Sequence, residues 1–330
     1  AKLLESHQSS MNPAEGELFR AVLCRESSAD YLVLIAHHTT VDGVSWRIII
    51  NDLALAYQAR QQQIQPELPP VKVSLDDLSE YLQKRKAEIP SEQIVYWEQI
   101  RHNKTLTHLP NELLFNENST PTNSGIFGQT RTISFSLNAE STQKLESQTG
   151  QEYSVQDLLV SAVATAWHQV TERPELALLM ESHGRGGLDL DLSRTVGWMT
   201  AVYPLRLDCG KSWRQNVAAV QEEMASQGEH PEWFGLYHWM GESRPYILPP
   251  ISLNYLGKMS MSGGEGKLWQ SASISTGTEI HPHLNRFTLI DLTAIITGGS
   301  LRMSLTYASG EIKEAPLNDF MNRMQQILEN

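Results

Sequence analysis

Two short apolar stretches, residues 18–23 and 31–36, flank a polar patch at 25–30. This pattern predicts a strand pair with turn chemistry from Ser27, Ser28 and Asp30. Beyond it, Ile48, Ile49, Asp52, Leu53 and Ala56 recur at the helical period and predict a helix over 44–60, with Asp42 at its N-cap. Residues 61–73 are rich in Gln and Pro and read as a loop. A helix is predicted over 76–86, and another follows Pro90 through Tyr96 and Trp97. From 102 to 128 the chain turns polar, with Pro110, Asn116, Asn118, Pro121, Asn123 and Gly125, and this predicts a linker.

Past that stretch, residues 130–137 alternate as a strand, Asn138 opens a helix, and Ser154 opens a strongly apolar one over 155–170. A buried strand at 176–180 leads into Glu181, and further strands are expected at 200–207 and 251–256 with a helix at 212–226 between them. Residues 287–296 and 300–307 flank Gly298 and Gly299 as a hairpin, and an amphipathic helix closes the chain at 315–328. Strands and helices intermix in both halves, which predicts an α/β sandwich of two lobes. The expected division is 1–107 for the first lobe, 108–128 for the linker and 129–330 for the second lobe. A length of 330 residues agrees with two units of about 150.

Composition narrows the function. There are 26 basic and 38 acidic side chains, a net charge of −12, which argues against a nucleic-acid binder that displaces counterions with clustered Lys and Arg. No apolar run approaches the roughly 18 residues of a bilayer span, so no membrane role is expected. The two cysteines, Cys24 and Cys209, are too few for a disulfide framework or a cysteine-rich zinc site. The first residues carry no signal-peptide pattern, and a reducing cytoplasm is the simplest compartment. An opening on Ala1 rather than Met fits an excerpt from a longer chain.

The most informative segment is His37-His38 followed by Asp42 at a strand-to-helix junction. In extended backbone the two imidazoles point to opposite sides, so one can face a cleft while the other packs inward. The helix that begins near Asp42 aims its positive end at this loop, and a neutral imidazole there can move a proton near pH 7. Ordinary explanations compete: adjacent histidines are often packed loop residues, and Asp42 alone reads as a cap. A zinc site is disfavoured, since no third ligand stands at helical spacing and no His-Glu-x-x-His pattern occurs.

The run His37-His38-Thr39-Thr40-Val41-Asp42-Gly43 resembles the His-His-x-x-x-Asp-Gly signature of the condensation-domain superfamily of non-ribosomal peptide synthetases. Its continuation Val44-Ser45-Trp46 is similar to the form found in epimerization domains. Two more stretches resemble the same branch: Glu181-Ser182-His183-Gly184-Arg185 with Asp191-Leu192-Ser193-Arg194-Thr195-Val196-Gly197-Trp198, and Asn254-Tyr255-Leu256-Gly257. Ser182 stands where the family motif has Gly, a small change at a turn. The resemblance implies a two-lobed chloramphenicol-acetyltransferase-like fold. Because only 36 residues precede His37, it also implies that the first lobe is incomplete.

By the same resemblance, the activity is L-to-D epimerization of an aminoacyl or peptidyl thioester. No cofactor is bound by the domain itself; the substrate arrives on the phosphopantetheine arm of a peptidyl carrier protein, with adjacent synthetase domains as further partners. The second histidine, His38, and Glu181 are implied as catalytic groups. His37, Asp42, Gly43, Asn254 and Tyr255 are implied as supporting, with Asn254 and Tyr255 expected on one tunnel wall, and Arg185 and Arg194 read as braces of their loop. Amide-forming condensation and a non-catalytic carrier-docking remnant are the alternatives. With no basic groove beside them, Trp167, Trp198, Trp213, Trp233 and Trp239 read as core packing, and Met199, Met224 and Met240 as filler.

Overall fold

The computed structural model describes residues 2–27, 29–115, 125–150, 153–210, 212–241, 247–258, 268–270, 272 and 274–330. Ser28 and residues 116–124 of the expected linker therefore lie outside the described residues. The chain divides into two compact units. The first comprises Ala1–Tyr81, Leu188–Thr200 and Met261–His281, and the second Leu82–Gly187, Ala201–Ser260 and Pro282–Asn330.

In the first unit, α1 (Lys2–Ser9) precedes the antiparallel pair β1 (Phe19–Arg25) and β2 (Asp30–Ala36), in the register Phe19 to Ala36 through Arg25 to Asp30. Helix α2 (Gly43–Gln61) follows, capped by the Asp42 carboxylate, which accepts from Ser45 N. Helix α3 (Leu75–Arg85) runs across the boundary into the second unit. Val41, Ile48, Ala54, Val73, Leu78 and Leu192 are buried.

In the second unit, α4 (Ser91–His102) and α5 (Lys104–Thr107) lead to β3 (Thr130–Ser136), α6 (Ala139–Ser147) and α7 (Val155–Thr171). Strands β4 (Glu175–Ser182) and β5 (Ala201–Asp208) come next, then helices α8 (Trp213–Gly228) and α9 (Glu232–Met240). Strands β6 (Ile251–Lys258), β7 (Ile290–Thr297) and β8 (Ser300–Ala308) precede the closing helix α10 (Glu314–Glu329). Among the described residues these strands form one mixed sheet in the order β3-β8-β7-β6-β4-β5. Strand β6 is parallel to β4 and β7, and the other pairings are antiparallel.

Helix α7 is apolar almost all round, as a helix between a sheet and other helices should be. Its start is fixed by a capping box in which Ser154 and Asp157 satisfy each other's backbone N–H groups. Leu159, Val163 and Ala166 join the core with Leu178 and Met180 of β4, Leu253 of β6 and Phe320 and Met324 of α10. The β7–β8 turn takes positive φ at Gly298 (57°) and Gly299 (80°), which a side chain would resist.

The expected boundaries need correction. Residues 82–107 belong to the second unit rather than the first: Trp97 is in its core, and Ile100 and Leu106 pack against Ala177 of β4. The described start of the expected linker is also core, because Leu109, Leu113 and Leu114 are buried there. The polar residues between these leucines hide a set of anchors with no regular period. Conversely, Leu188–Thr200 belongs to the first unit, although it lies between two strands of the second unit's sheet.

Candidate active site

Strand β2 ends at Ala36, and the ladder closes with His37 N donating to Leu18 O at 2.8 Å. The chain then turns, with Thr40 N (3.0 Å) and Thr40 Oγ1 (2.8 Å) both donating to His37 O. The expected strand alternation of the two histidines is corrected by this turn, which sets their directions instead. His37 Nδ1 lies 2.8 Å from Thr39 Oγ1. His38 is exposed, and its Nδ1 lies 2.9 Å from Val41 O. A carbonyl only accepts, so Nδ1 carries the hydrogen and Nε2 of the neutral ring keeps its lone pair for an incoming proton.

Asp42 is only 3% exposed and does more than cap α2. One carboxylate oxygen accepts from Ser45 N (2.8 Å) and the other from Met199 N (3.1 Å). Ser45 Oγ donates to Gly197 O (2.9 Å) and accepts from Gly197 N (3.0 Å). Arg194 adds an ion pair to Asp52 of α2 at 2.6 Å, and Thr195 Oγ1 donates to Val73 O. The segment Leu188–Thr200 is thus tied to the helix that follows the histidine turn. Replacing Asp42 by Ala removes a helix cap and leaves the buried Met199 N–H without this acceptor, so a loss of about 2–4 kcal/mol in unfolding free energy is expected, measurable by urea titration. Gly43, the first residue of α2, is exposed, and a Cβ there would meet nothing within 4 Å.

Between the two anchored positions Gly197 and Met199, the Trp198 side chain points outward. It is 53% exposed, and its ring centroid lies 5.5 Å from that of His38 at an interplanar angle of 37°. The expectation of core packing is therefore wrong for Trp198, and also for Trp239, which is 57% exposed; it holds for Trp167 and Trp213. Ser45 and Trp198 were not among the expected site residues. Their presence in the quoted motifs was the available signal.

Glu181 lies in the second unit, near the end of β4, and is half-buried. Asn254 Nδ2, on the parallel neighbour β6, donates to Glu181 Oε2. Tyr255 is not part of this arrangement. As the next residue along the strand it turns to the opposite face, packs against the core, and has its phenol pKa raised by burial and by the nearby Glu146 carboxylate. The face that carries Asn254 is polar across the register: Ser252 pairs with Asp291, Asn254 with Thr293, Asp291 with Thr306 and Thr293 with Ser304.

After Glu181 the loop folds on itself, with Arg185 N donating to His183 Nδ1 (3.0 Å) and Arg185 Nη1 to His183 O (3.2 Å). Gly187, at φ 71°, rests against the Glu229 carbonyl oxygen, where any Cβ would collide. The loop's exit therefore requires glycine.

Comparison with known proteins decides the lineage. The condensation-domain family matches over residues 1–330. The chain belongs to that family. This condensation-superfamily domain is 30% identical over 339 residues to surfactin synthase subunit 1 of Bacillus subtilis (strain 168), covering 98% of this chain and 9% of that protein. It is 26% identical over 335 residues to bacitracin synthase 2 of Bacillus licheniformis, covering 98% of this chain and 12% of that one. The domain thus spans about a tenth of the length of these curated relatives. Among solved structures, it is similar to the epimerization domain from the third module of tyrocidine synthetase B, with a TM-score of 0.84, 26% identity, and coverage of 99% of this chain and 74% of that one. The mixed α/β fold is the chloramphenicol-acetyltransferase-like fold of this superfamily. Among the described residues, no helix is long and apolar enough to cross a membrane.

Proposed function

We propose that the domain is an epimerase within non-ribosomal peptide synthesis. It takes the α-proton from an aminoacyl or peptidyl thioester and returns a proton to the opposite face, converting L to D. The thioester carbonyl delocalises the carbanion as an enolate, so the protein's task is to supply an acceptor, a donor and charge stabilisation. His38 and Glu181 are the two proton-transfer groups in this reading. The observation that carries it is Glu181 held by Asn254: a carboxylate fixed at a strand end by an amide donor is a second acid-base group, which amide condensation does not need. The likeness to an epimerization domain at 26% identity supports the same reading.

The substrate's handle is the phosphopantetheine arm of a carrier protein, and adjacent synthetase domains supply the upstream chain. The hydroxyls and carboxylates beside Asn254 suit the amide groups of such an arm or of a peptidyl substrate. Asn254→Ala removes the donor that orients Glu181, and a fall of roughly tenfold in α-proton exchange is expected with little change in melting temperature. The test of the function is a carrier protein loaded with an L-aminoacyl thioester and incubated with the domain in heavy water. Mass gain at the α-carbon supports epimerization. Amide formation without mass gain supports condensation, and carrier binding with neither supports a docking role.

A further inference from the structure

We propose that Trp198 is a positioning residue for His38, holding the imidazole by ring contact and stabilising the imidazolium that forms when His38 takes a proton. The identity of that proton as the substrate's α-proton rests on the epimerization reading, whereas the pairing itself rests on geometry within the first unit. The centroid distance of 5.5 Å lies inside the range of about 6 Å over which an aromatic face attracts a cation.

The backbone beneath the indole leaves it little freedom. Gly197 is bonded through both N–H and C=O to Ser45 Oγ, and Met199 N is bonded to Asp42. Both Asp42 and Ser45 sit at the start of α2, directly after the histidine turn, so one rigid corner fixes Trp198 and His38 together. An indole left 53% exposed gains little from hydrophobic burial, which makes a purely structural purpose a poor explanation for anchoring it so firmly. Four of the titratable or charged groups on the elements that meet here have other partners. His37 bonds Thr39, Asp42 accepts from Ser45 and Met199, Asp191 pairs with Lys72, and Arg194 pairs with Asp52.

The test combines a spectroscopic and a kinetic double-variant cycle on the full chain, using Trp198→Leu, Trp198→Phe, His38→Gln and the doubles. An imidazolium in contact with an indole quenches its emission. A pH-dependent component of tryptophan emission is therefore expected in the wild type and is lost equally in Trp198→Phe and His38→Gln. In the exchange assay, Trp198→Leu is expected to lower kcat about two- to tenfold with KM changed less than about twofold. Trp198→Phe should recover part of the rate because it keeps an aromatic face. With His38 already replaced by Gln, Trp198→Leu should change the residual rate no further. His230 lies against Trp233 and His238 against Trp239, so their contribution is common to all variants. Additive effects in the double variant, or a pH-dependent emission change as large in Trp198→Phe and His38→Gln as in the wild type, would overturn the pairing. A wild type that shows the emission signature but no α-proton exchange removes the epimerization reading and leaves the pairing standing.

Discussion

Glu181→Gln is expected to reduce α-proton exchange from an L-aminoacyl carrier thioester by roughly 10²–10⁴-fold while leaving carrier binding intact. Gln has the size of Glu and retains an oxygen that accepts the Asn254 amide, so the β4–β6 contact survives. What it lacks is the ability to take up a proton. Packing loss therefore contributes little to any rate change, and a melting temperature matching the wild type checks that directly. If the variant exchanged the α-proton at the wild-type rate, Glu181 would be a bystander and the two-group mechanism would fall.

His38→Ala is expected to stop racemisation, again by roughly 10²–10⁴-fold, with slow exchange at one face where Glu181 acts alone. The outcome is separable from misfolding because His38 is exposed, its ring bonded to the local Val41 carbonyl and lying beside the exposed Trp198 indole. Removing an exposed side chain of this kind changes stability by about 0.5 kcal/mol or less. Asp42→Ala provides the contrast: it removes buried bonds and acts through stability, whereas His38→Ala acts through rate. Racemisation at the wild-type rate in a folded His38→Ala protein would assign the proton transfer to another group.

Much of this architecture was legible from local chemistry. Asp42, Asn138 and Ser154 cap helices because each short polar side chain bonds backbone N–H groups two or three residues on, a relation visible in sequence. The second-unit strands were legible for a similar reason, since their apolar runs are bounded by turn residues. Residues 102–115 were not, because Leu106, Leu109, Leu113 and Leu114 reach the core from short helical turns with no sustained period. The aromatic helix α9 escaped as well, its Trp233, Phe234, Tyr237 and Trp239 forming no single apolar stripe.

The site itself was legible only in part. Motif likeness pointed to His38, Asp42, Glu181 and Asn254, but the bond from Asp42 to Met199 joins residues 157 apart and leaves no local signature. Long-range bonds of that kind decide which unit the segment Leu188–Thr200 joins, and hence where Trp198 stands. Tyr255 is the opposite case. Strand alternation alone places adjacent residues on opposite faces, so its separation from Asn254 followed from the sequence once β6 was recognised.

The most direct test of the central claim is stereochemical. A carrier protein is loaded in parallel with the L- and the D-aminoacyl thioester, each is incubated with the domain, and the released amino acid is resolved by chiral chromatography. Epimerization predicts that both preparations converge on the same ratio of isomers, with α-deuterium in the product when the solvent is heavy water. If each preparation keeps the isomer it was loaded with while an amide-linked product accumulates on a second carrier, the domain is a condensation catalyst and the roles assigned here to Glu181 and Asn254 are wrong.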